Sequence, residues 1–198
     1  MFFRTLRLAL PRLIKKKVVL LSALLVGSFA LIAILAPWLV PYSLTDADLS
    51  LRLAPPSSAH PLGCDLNGLD VLSSIIYGAR TSLFIGFMTV ILSLTIGVTI
   101  GLLSGFVGGL FDNIIMRVID MLMAFPALLV AMLMATTLGQ SATTIIFAIS
   151  ATGWISAARL VRGEVLKYRE MTYVTAARAL GAKGARLMWV HIFPSTVT

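Results

Sequence analysis

Few residues of this chain are placed to do chemistry, and those few point away from catalysis. The stretch Tyr173 to Ser195, YVTAARALGAKGARLMWVHIFPS, carries Arg178, Lys183 and Arg186 and no acidic residue, with Lys167 and Arg169 just before it. Ala176, Ala177 and Ala179 favour helix, Gly181 and Gly184 interrupt it, and Pro194 should end the second helical piece. The pattern predicts helix, sharp turn, helix, stop, lying on a membrane surface. Gly181–Arg186 (GAKGAR) is no phosphate loop, lacking both the spacing and the hydroxyl that would hold Mg²⁺. Glu164 and Glu170 lie in a basic segment, and no Ser, His and acid can be argued into one place. His60, Cys64 and Asp65 are too few for a metal site, which needs three or four placed ligands. No enzyme site, cofactor or metal is expected.

The elements that position these residues belong in a membrane. Of the 198 residues 59% are hydrophobic and only 12% charged, far outside the range of soluble domains. A single cysteine, Cys64, excludes an internal disulfide. The net charge of +8 could suggest nucleic acid, but its distribution rejects that partner. Six basic residues precede the first apolar run, seven follow the last, and Arg117 lies between. Only Arg52 and Arg80 fall in the long loop between the first two runs, which also holds Asp46, Asp48, Asp65 and Asp70. A split of 14 against 2 is the positive-inside pattern of a helical membrane bundle.

Four spans are expected. A basic amino-terminal segment (1–17) precedes the first, 18–40, whose 23 apolar residues can cross a hydrocarbon core of about 30 Å. It is too long for the apolar core of a signal peptide, and Trp38 and Tyr42 suit an interfacial belt. Residues 41–81 form an extracytoplasmic loop. The second span, 82–105, carries Ser93, Gly97, Gly101 and Gly105 every four residues, a groove for close approach of another helix. After a short connection (106–113) the third span, 114–138, returns outward, and Phe125-Pro126 should bend it. Arg117 and Asp120 share a face and are expected to pair near the cytoplasmic end, the alternative for charges inside a membrane being to line a substrate path. The fourth span, 141–161, leads into a cytoplasmic segment, 162–198. The fold class is thus an all-α membrane bundle.

The segment Tyr173–Ser195 resembles the EAA loop of bacterial ABC importer permeases, the loop that grips the ATPase subunit. Thr175, Ala176, Ala177, Gly181, Phe193 and Pro194 hold the places of that pattern, with His191 before Ile192. Thr175 stands where the pattern has an acid, and Phe193 where it has leucine. His60–Leu83, HPLGCDLNGLDVLSSIIYGARTSL, is similar to a stretch of dipeptide, oligopeptide and nickel permeases, with Cys64 in place of a threonine and Leu69 of an arginine. Gly101–Ala131 and Thr152–Ala182 match further, in order, and point to the second permease of the family's usual pair.

The resemblance implies a bacterial inner-membrane permease subunit of a binding-protein-dependent importer for peptides, nickel or a similar solute. Tyr173, Thr175, Ala176, Ala177, Arg178, Gly181, Ala182 and Pro194 would then form an ATPase-coupling helix and turn. It also implies partners: cytoplasmic ABC ATPase subunits, a second permease, an extracytoplasmic solute-binding protein and membrane lipid. Two further membrane helices would be expected after Thr198, so the chain reads as a fragment or a shortened product. The competing reading is a non-transporting membrane protein or adaptor whose basic tail binds anionic lipid. A secondary transporter would show internal repeats with broken helices, and none is found.

Overall fold

A computed structural model describes residues 16–44 and 47–196. Apart from Lys16 and Lys17, the basic amino-terminal segment lies outside the described residues, as do Asp46 and Thr198. Contacts divide the chain into two compact units that part between residues 84 and 85. No strand forms among the described residues; helices account for the architecture.

The first unit begins with α1 (Lys17–Leu39), an unbroken apolar run with Pro37 in its last turn. Only Ala33 and Ala36 are buried in it, so its other faces are free to meet lipid or a partner. The loop after α1 is built around Asp70. This residue ends the irregular segment and accepts the backbone N–H of Ser73 at 2.8 Å, which caps α2 (Val71–Val107) at its start. Its other oxygen lies 3.0 Å from His60 Nδ1, and the His60 ring tilts against Tyr42 at 4.6 Å. Cys64 forms an isolated antiparallel bridge to Asp70. Asp65 accepts the N–H groups of Asn67 and Leu69, making the tight turn between them. Gly68 sits in that turn at φ 75°, where a Cβ would lie 1.8 Å from the Asp48 carbonyl oxygen. Burial pushes the Asp70 carboxyl up, but the hydrogen bonds from Ser73 and His60 outweigh it and leave it below the usual carboxylate range. Burial, together with Asp70, Asp65 and Asp48, pushes the Cys64 thiol up.

The helix that carries the second expected span starts at Val71, eleven residues before the boundary expected from the sequence. Arg80 and the small polar residues near it are compatible with a helical turn once Asp70 has capped it. The helix ending at Arg169 likewise runs past the expected end of the fourth span.

In the second unit the rest of α2 is followed by α3 (Gly109–Met123), α4 (Ala127–Leu138) and α5 (Ala142–Arg169). Gly108 turns the chain between α2 and α3 at φ 69°. Ser141 caps α5 by accepting the N–H of Thr144. Helices α3 and α4 are bent by 79° at the Ala124–Pro126 break, the place where proline removes a backbone donor. Among the described residues three helices, α1, α2 and α5, are long and apolar enough to cross a membrane, and α3 with α4 makes a fourth if taken as one broken span. The end of the unit comprises α6 (Thr172–Ala179), α7 (Gly184–Arg186), a π-helical turn (Leu187–Ile192) and α8 (Phe193–Thr196). Leu102, Val165, Val174, Leu187, Met188 and Ile192 pack together beneath it, so this end segment is seated on α2 and α5.

Candidate functional site

The basic segment is organised around Val174, which is fully buried while its helix neighbours Thr175, Ala176 and Arg178 are exposed. A short helix that buries a single residue keeps the opposite face free. Ala177 and Ala182 pack against the same core from its edge. Tyr173 donates its hydroxyl to the His191 carbonyl and to Ser195, tying α6 to the end of the segment.

Gly181 closes α6 in a Schellman motif. The Ala182 N–H reaches back to the Ala177 carbonyl and the Gly181 N–H to Arg178, both at 3.0 Å, with Gly181 at φ 84°. Nothing lies within 4 Å of a Cβ built there, so the requirement for glycine is one of backbone conformation, not of space. The turn lifts Leu180 into the open at 90% exposure. Thr175 makes only local contacts, its hydroxyl donating to the Thr172 carbonyl at 2.8 Å.

Pro194 does not stop the helical path, although its type suggested that it would. It lies inside α8, two residues beyond a π turn after which the Phe193 N–H bonds to Met188. A proline in a first turn loses no hydrogen bond, which is why the path continues through it.

The residues at four-residue spacing on α2 face α5. A Cβ on Gly97 would lie 2.6 Å from the Trp154 carbonyl oxygen, on Gly101 2.5 Å from that of Ala158, and on Gly105 2.9 Å from Val165. Ser93 is met by Gly153 of α5, where a Cβ would lie 2.7 Å from the serine hydroxyl.

The expected Arg117–Asp120 pair does not form. Asp120 pairs with Arg159 of α5, and Arg117 is in no ion pair among the described residues. An i,i+3 spacing only allows contact, and a helix packed alongside offered Asp120 a guanidinium from a better direction.

A partly buried arginine–carboxylate pair, absent from the sequence expectations, joins α3 to α5. Asp112, in the first turn of α3, receives Arg162 of α5 through two bonds, Nε at 2.5 Å and Nη2 at 2.6 Å. Ser104 of α2 donates to the same carboxylate. Seven residues on, Arg169 donates to the Gly105 carbonyl at 3.1 Å and to Phe106. A guanidinium suits the last carbonyls of a helix, which carry partial negative charge. One signal was available: Asp112 is the sole charged residue in the connection 106–113, where the positive-inside pattern gives it no purpose.

Among the described residues no cluster of metal-ligating side chains occurs. The arrangement presents an exposed helix face seated on a buried core, and a charged pair that joins two helices.

Comparison with known proteins agrees with the geometry. Residues 97–198 match the family described as binding-protein-dependent transport system inner membrane component. Residues 5–56 match the N-terminal TM domain of oligopeptide transport permease C. The chain is 38% identical to the dipeptide transport system permease protein DppC of Bacillus subtilis (strain 168), over 94% of this chain and 58% of that protein. With the oligopeptide permease OppC of the same organism the identity is 40%, over 96% and 62%. The glutathione transport system permease protein GsiD of Pectobacterium atrosepticum is 36% identical, over 94% and 62%. The chain thus spans about 60% of the length of these relatives. With its apolar helices and its seated basic end segment, the chain belongs to the family of multi-pass inner-membrane components of binding-protein-dependent transport systems.

Proposed function

We propose that the chain is the permease part of an ABC importer, and that its segment 170–196 couples ATP hydrolysis in a separate subunit to movement of solute. The observation that carries this is the exposed face of α6. Ala176, Arg178 and Leu180 stand out on a short helix whose far side is locked into the core by Val174. A leucine exposed to this degree beside small and cationic residues suits insertion into a groove of a partner protein. The rigid seat matters as much as the face, because a push on a mobile segment would be absorbed locally.

In this reading a cytoplasmic ATPase subunit receives α6, and its change of state on binding ATP displaces α6, which moves α5. Coupling requires that α6 contact the ATPase differently in its two states. A second permease completes the path, a solute-binding protein docks outside, and lipid surrounds the spans. The relatives are named for dipeptides, oligopeptides and glutathione, which favours a peptide solute over nickel.

The test is site-directed crosslinking in the full-length permease within its assembled transporter, with Cys64 and any cysteine outside residues 1–198 replaced by serine. Leu180→Cys should crosslink to an ATPase subunit and the yield should change with ATP. Crosslinking to lipid-borne probes alone, with no ATPase recovered, would overturn the proposal in favour of a lipid-bound tail.

A further inference from the structure

Two arginines of α5, seven residues apart and therefore on one helix face, hold the corner where α2 turns into α3. Arg169 takes the carbonyls at the end of α2, and Arg162 takes the carboxylate at the start of α3. The corner itself is braced, since Ser104 of α2 donates to the carboxylate that Arg162 holds, and Ser104 is fully buried. Arg169 is the last residue of α5, three residues before α6 begins. Between the two arginines, Val165 is fully buried against Leu102 and the end segment. The corner therefore sits between the basic end segment and the broken helix pair α3–α4.

We propose that Arg162 and Asp112 form a permanent clasp that makes the α2–α3 corner move with α5, so that displacement of the end segment is delivered to the α3–α4 bend. The proposal rests on the coupling role of segment 170–196. Arg162 is a positioning residue in this scheme. Its effect is exerted through the start of α3. A bidentate guanidinium–carboxylate pair suits the task because two parallel bonds fix orientation as well as distance, which a single lysine bond does not. Partial burial of the pair keeps water from competing for either partner. Without it the corner keeps the Ser104 and Arg169 contacts and the backbone bonds of the turn, and α3 can pivot about Gly108, whose φ of 69° is a conformation that glycine adopts without steric cost.

The experiment uses the full-length permease assembled with its ATPase, partner permease and binding protein in proteoliposomes. It compares Arg162→Gln, Arg162→Lys, Asp112→Asn and the double variant, reading the amount of ATPase retained, the ratio of stimulated to basal hydrolysis, and uptake per ATP. Arg162→Gln and Asp112→Asn should retain the ATPase while the ratio falls about tenfold toward one and uptake per ATP falls with it. The double variant should be no worse than either single change, since the same contact is removed once. Arg162→Lys should fall between wild type and glutamine. Should Arg162→Gln fail to assemble, Arg162→Lys decides: a merely structural role lowers the assembled amount and leaves the ratio at the wild-type value. Wild-type ratio and uptake in assembled Arg162→Lys and Asp112→Asn would overturn the clasp. If the coupling role itself is wrong, Leu180→Cys fails to reach the ATPase in wild-type background, an outcome independent of the clasp variants.

Discussion

Gly101 and Ala158 meet backbone to backbone: a Cβ on the glycine would stand 2.5 Å from the alanine's carbonyl oxygen. Real atoms do not approach so closely, so any side chain at 101 must push α2 and α5 apart. Gly101→Ala should lower the thermal midpoint of the purified permease, at a cost of about 1–3 kcal/mol, and Gly101→Leu should disrupt assembly. Gly86→Ala and Gly163→Ala, at helical positions with nothing within 4 Å, are the matched controls and should leave the midpoint unchanged or raise it, alanine being the better helix former. Equal midpoints for Gly101→Ala and Gly163→Ala would show that the two helices are not in contact.

Gly181 calls for a different series. Its site is open, so bulk alone costs nothing there, whereas φ 84° penalises any residue with a Cβ by about 1–2 kcal/mol. Gly181→Asn, tolerant of that region, should keep more uptake than Gly181→Ala, and Gly181→Val should keep least, at equal membrane insertion. An order set by side-chain size, with alanine best, would mean that docking space and not backbone conformation governs the turn.

Cys64 reports on the outer loop. It is 6% exposed and its thiol is pushed up, which reduces the reactive thiolate. A membrane-impermeant maleimide should therefore label intact spheroplasts slowly. Gly68→Ala, which forces a Cβ onto the Asp48 carbonyl, should open the loop and raise the rate by about tenfold or more. Labelling of that variant only after lysis would reverse the proposed orientation of residues 41–70.

Acid should loosen the same loop. The Asp70 carboxyl titrates below its unfolded value, so its stabilisation is complete above the ordinary carboxylate pKa of about 4 and is lost as pH falls through the depressed folded value. Hydrogen exchange of residues 48–73, corrected for intrinsic rates, should show wild type protected relative to Asp70→Asn near neutrality, with the gap closing in acid. A gap that widened in acid would mean that Asp70 is protonated in the native loop.

The membrane character, the spacing of small residues on α2 and the break before Pro126 could be read from local patterns, because each depends on neighbours within one or two turns. The charge pairs could not. Asp112 and Arg162 are fifty residues apart and Asp120 and Arg159 thirty-nine, so nothing in either local sequence distinguishes a paired residue from a topology signal. The start of α2 was hidden for a related reason. Asp70 looks like a loop residue until its carboxylate is seen to accept the Ser73 N–H and begin the helix. Pro194 misled because a π turn just before it shifts the hydrogen-bond pairing, a feature with no local signature.

The 79° break between α3 and α4 also constrains the solvent. No side chain caps α4, whose N-cap is Pro126, and a cavity of about 420 Å³ lined by Phe125, Thr152, Gly153 and Ser156 adjoins the break. Hydrocarbon cannot hydrogen-bond the peptide groups that such a bend exposes. With both halves at bilayer depth, water or a polar chain must stand beside them. A helix pair broken at such a depth thus demands a polar neighbour at its break that the apolar faces on either side of it do not.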